Sequence, residues 1–299
     1  MSGGGAAREE SAAVKTGNGT EKIESGEDPR RRPAGRYEKR RMKRTVKPEL
    51  NPAKARAVGI LFGLILLAAW QLLAMGIGKA YVLPSPVQVV LHIGKHAQEL
   101  FLEHLPATMQ VVGIGGALAI LLGFVLAVVM DLCRPLEKAL YPVLTLTQTI
   151  PVMCIAPVFV LWFGYSIKMR VIVVILVNFF SVTVNTFDGL KATSPGRTEL
   201  LQTYGAGRMQ QFFLLRLPTA LPYLFTALKI AIPWSVIGAA VSEWLGAPSG
   251  MGTYSRSCMM SLDAAGLLAP LVILTVIALV LNSILQIIEK RVVTWKGEV

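Results

Sequence analysis

Glu199-Leu200-Leu201-Gln202-Thr203-Tyr204-Gly205-Ala206, running on through Phe212 and Leu215 to Leu217-Pro218, is a short, largely polar stretch between two long apolar runs. Glutamate, leucine and glutamine favour helix, so the stretch reads as helical, but Gly205 interrupts it and Pro218 closes it. Glycine tolerates a positive φ that other residues resist, and proline suits the first turn of a helix, where its missing N–H is no loss. The spacing therefore predicts two short helices joined by a bend at Gly205, with a new long helix starting at Pro218. A polar helical elbow between apolar helices belongs to an all-α chain that crosses a membrane several times.

The composition agrees. Of 299 residues, 53% are hydrophobic, and the mean hydropathy is +0.55, too apolar for an ordinary soluble domain. Apolar runs fall at 57–77, 109–131, 140–163, 171–188, 219–242 and 266–288, each near the ~20 residues that span a bilayer. About six transmembrane helices are expected. The chain then divides into a basic N-terminal tail at 1–56, a first span at 57–77, an external segment at 78–108, a five-helix core at 109–288 that contains the polar loop at 190–218, and a C-terminal tail at 289–299.

Charge orients these spans. The net charge is +12, and residues 1–56 hold 15 of the 30 basic residues. Met1 to Asp28 is rich in Gly, Ser, Ala and Glu without apolar periodicity, so it reads as disordered, and a dense run from Arg30 to Arg44 follows. Such a run ahead of a first span reports orientation and lipid attraction, not nucleic-acid binding. Arg134, Lys138, Lys191, Arg197, Arg208, Arg216, Lys290 and Arg291 fall on the same side as the tail, whereas the opposite segments hold only Lys79, Lys95, Lys168, Arg170 and Arg256. The positive-inside rule places both termini and the 190–218 loop in the cytoplasm.

Within the spans, Gly115, Ala119, Gly123 and Ala127 recur every four residues, as do Ala227, Ala231, Ser235 and Ala239. Small residues let helix backbones approach closely in lipid, so both stripes predict contact faces. Pro142, Pro151, Pro157, Pro233 and Pro270 interrupt three spans, and the carbonyls they free should face protein or a watery path. Gln148, Asn178, Trp234 and Glu243 are the residues expected along such a path, with Glu243 at the external end of its span; Trp162 and Trp244 read as interface anchors. Lys229 is expected to snorkel toward the cytoplasmic side. His92 and His96 have i, i+4 spacing, but no carboxylate or cysteine in sequence completes a metal site, so a solvated external helix is expected there. Cys133, Cys154 and Cys258 are scattered without ligand spacing. No cofactor or metal is expected.

The loop resembles the EAA loop of binding-protein-dependent ABC permeases: a Glu, a Gly six residues on, and an aliphatic-x-Leu-Pro ending. Glu199, Gly205, Leu215, Leu217 and Pro218 are in register, while Leu200 and Leu201 stand where that family has two alanines. Leu83-Pro84-Ser85-Pro86, Thr149-Ile150-Pro151, Ala156-Pro157 and Leu161-Trp162-Phe163-Gly164 resemble the nitrate, sulfonate and taurine branch. The stretch from Leu228 through Glu243-Trp244 to Ala247 is most similar to permeases for hydroxymethylpyrimidine and related thiamine precursors.

The resemblance implies a type I ABC importer permease in a bacterial plasma membrane. It implies that Glu199, Leu200, Leu201, Gly205, Ala206, Leu215, Leu217 and Pro218 couple the chain to cytoplasmic ABC ATPase subunits, that an extracytoplasmic substrate-binding protein delivers the cargo, and that two copies of the permease pair. Riboflavin, or sulfonate, taurine or nitrate, is the alternative cargo. The chain lacks a G-x-x-x-x-G-K-[ST] phosphate loop, so ATP hydrolysis belongs to the partner and no enzymatic activity is expected. An ion-coupled secondary transporter would need ionisable residues at mid-membrane, which the spans almost lack. An intramembrane hydrolase would need a buried nucleophile and base, and all three histidines lie outside the spans.

Overall fold

The computed structural model describes residues 52–297, so nearly all of the expected basic tail at 1–56 lies outside the described residues. The chain divides between Gly59 and Ile60 into two units; the first helix begins in the first unit, and every later element lies in the second. In chain order the helices are α1 (Pro52–Ile77), α2 (Pro86–Lys95), α3 (Leu105–Leu132), α4 (Arg134–Thr147), α5 (Val152–Phe163), α6 (Ile167–Lys191), α7 (Pro195–Thr203), α8 (Arg208–Gln211), α9 (Leu217–Trp244), α10 (Met251–Met260) and α11 (Ala264–Val292). Wider π turns at Glu99–His104 and Phe212–Arg216 lead directly into α3 and α9. The described residues contain no strand.

Five segments are long and apolar enough to cross a membrane: Ala57–Ile77, Glu99–Leu132, Ile167–Lys191, Arg208–Trp244 and Ala264–Val292. The expected continuous span at 140–163 is instead two short helices, α4 and α5, separated by Gln148–Pro151. Pro151 has no N–H to continue the ladder, and its ring pushes Ile150 out of the helical region. The chain turns there through short bonds, Thr149 N–H to the Leu146 carbonyl at 3.1 Å and Ile150 N–H to the Thr147 carbonyl at 3.2 Å. Pro222 and Pro233, by contrast, are carried inside the unbroken α9. The last helix runs on to Val292, past the predicted end at Ile288, and α10 is a helix that the apolar pattern did not announce.

The bundle is built on α6, which packs against α3 on one side and α9 on the other. Both small-residue stripes are buried: Gly115, Ala119, Gly123 and Ala127 on α3, and Ala227, Ala231, Ser235 and Ala239 on α9. Contact is close enough that a Cβ placed on Gly115 would stand 2.7 Å from Val174 Cβ, and one on Gly123 would stand 3.0 Å from Val182 Cβ. Since lipid tails offer no hydrophobic gain for helix association, this close packing is what holds α3 to α6. Gly115→Ala is expected to force the two helices apart, at a cost of about 1–3 kcal/mol, and to lower the thermal midpoint of the purified chain in detergent; an unchanged midpoint would mean that the α3–α6 contact is looser than described.

Candidate functional site

The elbow at Gly205 is a complete helix-stop motif. Gly205 has φ +78°; its N–H donates to the Gln202 carbonyl at 2.9 Å, and the Ala206 N–H donates to the Leu201 carbonyl at 3.0 Å. This is the paired bonding of a Schellman turn, which satisfies the last carbonyls of α7 and needs a left-handed residue at the glycine position. The far side is held as well: the Gly207 N–H donates to Gln210 Oε1 at 2.9 Å, and the buried Gln211 donates from Nε2 to the Ala206 carbonyl at 2.7 Å.

The residues singled out in this loop separate into two groups. Glu199, Leu200 and Gly205 are exposed, with Leu201 and Ala206 half-buried, whereas Leu215, Leu217 and Pro218 are partly buried where the chain rejoins the bundle. Leu217 packs on a small core of Leu190, Phe212 and Ala220. One half of the loop is thus anchored, and the other presents Leu200 at 57%, Tyr204 at 80% and Met209 at 65% exposure. Leu200 and Tyr204 lie outside the long apolar segments and Met209 at the very start of Arg208–Trp244, and exposed apolar side chains on this largely polar stretch form a surface suited to cover by another protein.

Beneath the loop, Arg216 donates from Nη1 to Asp131 Oδ2 at 2.8 Å, and the Asp131 side chain is fully buried. Lys191 stands 3.9 Å from Asp131 and 2.8 Å from Glu137, and Tyr141 donates to Asp188 at 3.3 Å. These contacts tie the loop to α3, α4 and α6. Sequence reading placed Arg216 at this end but did not pair it with Asp131; opposite charges at the same end of neighbouring spans were the available signal. Lys229, expected to snorkel, forms an ion pair with Glu289 of α11 instead.

Of the four expected pathway residues, three come together. Gln148 at the α4–α5 break, Asn178 on α6 and Trp234 on α9 line one cavity of about 450 Å³ that also includes Phe180 and Ser181. Asn178 is buried, donating to the Val174 carbonyl at 2.9 Å and to Ser235 Oγ at 3.0 Å, while Trp234 is 51% exposed. The wall is apolar and aromatic with a few convergent polar groups, the usual make-up of a small-molecule site.

Glu243 is elsewhere. It was expected along the path at the external end of its span, yet it is fully buried, accepting from Thr108 Oγ1 at 3.0 Å and from the Gly252 N–H at 2.8 Å. Thr108 Oγ1 also accepts from the Met251 N–H at 2.8 Å, and His104 Nδ1 accepts from the Gly250 N–H at 3.1 Å. The carboxylate therefore fastens the start of α10 to α3 and α9. Sequence spacing could not show this, because one partner is the Thr108 side chain on α3, 135 residues earlier in the chain, and the other is a backbone N–H of α10.

The histidines, expected on a solvated helix, gather around Tyr254 of α10. His92 Nε2 lies 2.8 Å from the Tyr254 hydroxyl, His92 stacks on His96 at 4.2 Å, and His104 meets the Tyr254 ring edge-on at 5.2 Å. His92 Nδ1 is also 3.3 Å from Asp263 Oδ2. Burial pulls the His92 pKa below its ordinary value, against the opposing pull of Asp263; burial pushes the Tyr254 hydroxyl and the Cys258 thiol up.

Known proteins resemble this chain along most of its length. The family described as binding-protein-dependent transport system inner membrane component matches residues 119–294. The formylaminopyrimidine transport permease protein ThiX of Halalkalibacterium halodurans is 45% identical over 236 residues, 79% of this chain and 94% of that protein. A probable ABC transporter permease protein of Haemophilus influenzae is 34% identical over 218 residues, 73% of this chain and 89% of its own. The crystal structure of an amino acid ABC transporter with histidines superposes with a TM-score of 0.57 at 16% identity, covering 67% of this chain and 97% of that one; at that identity the likeness speaks for the fold.

Proposed function

The chain belongs to the family of inner membrane components of binding-protein-dependent transport systems and is a multi-pass permease subunit of an ABC importer, and from that premise we propose that it carries a small pyrimidine of the hydroxymethylpyrimidine or formylaminopyrimidine kind. ATP is hydrolysed by a separate subunit, so the permease is not itself an enzyme. The observation that carries the mechanism is the bent α7–α8 loop, anchored through Leu217 and Arg216 and exposing Leu200, Tyr204 and Met209. In this reading both termini and the loop are cytoplasmic, and the exposed half of the loop seats in the ATPase.

Closure of the ATPase dimer presses on α7 and α8. The load passes through the π turn at Phe212–Arg216 into α9 and through the Arg216–Asp131 pair into α3. Movement of α9 against α6 changes the cavity lined by Gln148, Asn178 and Trp234. Gln148, Ile150 and Trp234 are exposed in the single chain, and a second copy set against that face closes the path between two permeases. A pyrimidine suits this wall: its flat ring stacks on Trp234, its ring nitrogens accept from the Gln148 amide N–H, and its amino group donates to the Asn178 amide oxygen, both Asn178 donors being taken by Val174 and Ser235. Support for the pyrimidine comes from the 45% identity to a formylaminopyrimidine permease over most of both chains.

Uptake of labelled hydroxymethylpyrimidine into vesicles that hold the permease, its ATPase and its binding protein tests this. The expected result is uptake that requires ATP and falls with unlabelled formylaminopyrimidine but not with riboflavin or taurine. ATP-driven uptake of riboflavin or taurine in place of the pyrimidine would overturn the cargo, and pyrimidine uptake indifferent to ATP would overturn the coupling.

A further inference from the structure

His92 on α2, Cys258 on α10 and Asp263 at the start of α11 each turn one donor atom toward a common point, and the three donors lie within 4.8 Å of one another. We infer that these residues bind a single zinc ion that fastens α2 to the α10–α11 connection. The pathway and the coupling loop make no use of this cluster.

The donors suit the metal. An imidazole nitrogen, a thiolate and a carboxylate oxygen form a mixed set that favours zinc over magnesium or calcium, which prefer all-oxygen sites. Zinc bonds of ~2.0–2.3 Å arranged tetrahedrally hold nitrogen, oxygen and sulfur roughly 3.3–3.6 Å apart. His92 Nδ1 and Asp263 Oδ2 already stand 3.3 Å apart, so only the Cys258 side chain has to draw in. Its thiol proton leaves to solvent as the sulfur binds.

The surroundings leave one donor atom of each ligand turned toward the other two, with His92 Nδ1 and Asp263 Oδ2 paired to each other and the Cys258 thiol in contact with Tyr254 and Ser257 until the ion displaces those bonds. Nε2 of His92 is taken by the Tyr254 hydroxyl at 2.8 Å, which fixes the ring and leaves Nδ1 for the ion, the usual second-shell arrangement of a metal-binding histidine. Oδ1 of Asp263 accepts from the Gly266 N–H at 3.0 Å as the cap of α11, which leaves Oδ2. Gly266 keeps the centre open: a Cβ there would stand 2.5 Å from Cys258 Sγ, 2.7 Å from Asp263 Oδ2 and 3.0 Å from His92 Cε1.

Two further features point the same way. Leu262, immediately before Asp263, has φ +58°, the one positive φ at a non-glycine residue among the described residues, and its side chain is 74% exposed. A bulky residue held in that region costs of order 1–3 kcal/mol, a strain found where a neighbouring group must be aimed. His92 and Asp263 also form part of the wall of an open depression of about 510 Å³, which gives the ion a way in and a side on which water completes the shell.

The test uses the full chain, purified without a histidine tag, with Cys133→Ser and Cys154→Ser so that Cys258 is the sole thiol. After chelation, the protein is reloaded with zinc, and metal content is measured beside the absorption spectrum of a cobalt-loaded sample. One zinc per chain and a sulfur-to-cobalt charge-transfer band are expected. His92→Ala, Cys258→Ser and Asp263→Ala are each expected to weaken zinc binding by more than the roughly 10–100-fold typical of losing a second-shell partner, a loss that Tyr254→Phe should show. Gly266→Ala, which keeps all three ligands but fills the centre, should also lose the ion. Cys258→Ser exchanges a single atom, and its elution and thermal unfolding without metal should match the parent, so that loss of zinc there reports the ligand. Zinc well below one per chain in the parent, or zinc retained in Cys258→Ser with no sulfur band in the parent's cobalt spectrum, overturns the site.

Discussion

Gly205→Val is expected to reduce ATP-driven uptake at least tenfold while leaving the amount of permease in the membrane unchanged. Gly205 sits at φ +78°, and a Cβ built there meets nothing within 4 Å, so the substitution acts through the backbone alone. An L-residue in the left-handed region costs roughly 1–2 kcal/mol, and a β-branched one more. Valine would abandon the turn, break the bonds from Gly205 to Gln202 and from Ala206 to Leu201, and swing α7 away from α8. Because about 1.4 kcal/mol is a factor of ten in an equilibrium, displacing the seated loop by even that much gives the expected loss. Gly205→Ala carries the smaller backbone cost without the branch and should fall between the two. The exposed α7 holds none of the bundle together, so folding is spared. Normal uptake together with normal recovery of the ATPase on pull-down from Gly205→Val would refute docking at this elbow.

Arg216→Ala is expected to destabilise the chain by about 3 kcal/mol, the low end of what breaking a buried ion pair costs. Its Asp131 partner has a fully buried side chain, and with Arg216 gone the nearest remaining cation is Lys191 at 3.9 Å. That second cation, and the partial exposure of Arg216, hold the figure down. The reverse change is milder: Asp131→Asn leaves a guanidinium that is 34% exposed and can turn to water. The sign of the coupling follows from this asymmetry. Asp131→Asn with Arg216→Ala should be more stable than Arg216→Ala alone, because the buried charge that lacked its partner is removed. Thermal unfolding of the four members of the cycle in detergent measures it. A double variant no more stable than Arg216→Ala would mean that Arg216 acts by packing and not by charge. The same pair is the direct link from loop to α3, so Arg216→Ala should also uncouple uptake from ATP hydrolysis.

The loop was the most legible part of the chain because its signals are local: a helix former run, one glycine and one proline fix two helices and an elbow whatever surrounds them. The small-residue stripes were legible for a similar reason, since spacing by four puts Gly115 to Ala127 on one face and only close packing makes use of such a face. The α4–α5 break was half-legible. Pro151 marks an interruption, but hydropathy alone reads straight through it, as it does through Pro233, where the helix survives. Ser85 and Gln88 form a capping box at the start of α2, with mutual bonds of 3.3 and 2.9 Å, a local Ser-x-x-Gln signal set between Pro84 and Pro86.

What stayed out of reach was long-range. Glu243 closes on Gly252 and Thr108, His92 meets Asp263 and Tyr254, and Lys229 meets Glu289; no periodicity in one segment records which side chain of another will face it. Buried polar groups in such a chain find partners because water is excluded, but the sequence states the need and not the partner. Its position at a span end put Glu243 on the expected path, whereas the structure buries its carboxylate because the α9–α10 turn folds back over that end.

Docking of the ATPase is tested most directly by photo-cross-linking from the exposed half of the loop. A photoreactive residue placed at Gln202, on α7 beside Leu200 and Tyr204, should join the permease to the ATPase in the assembled, transport-competent complex, and the same residue at Met260, beyond the opposite end of α9, should not. A cross-link from Met260 with none from Gln202, in a complex that still imports, would contradict the assignment of this loop as the coupling element.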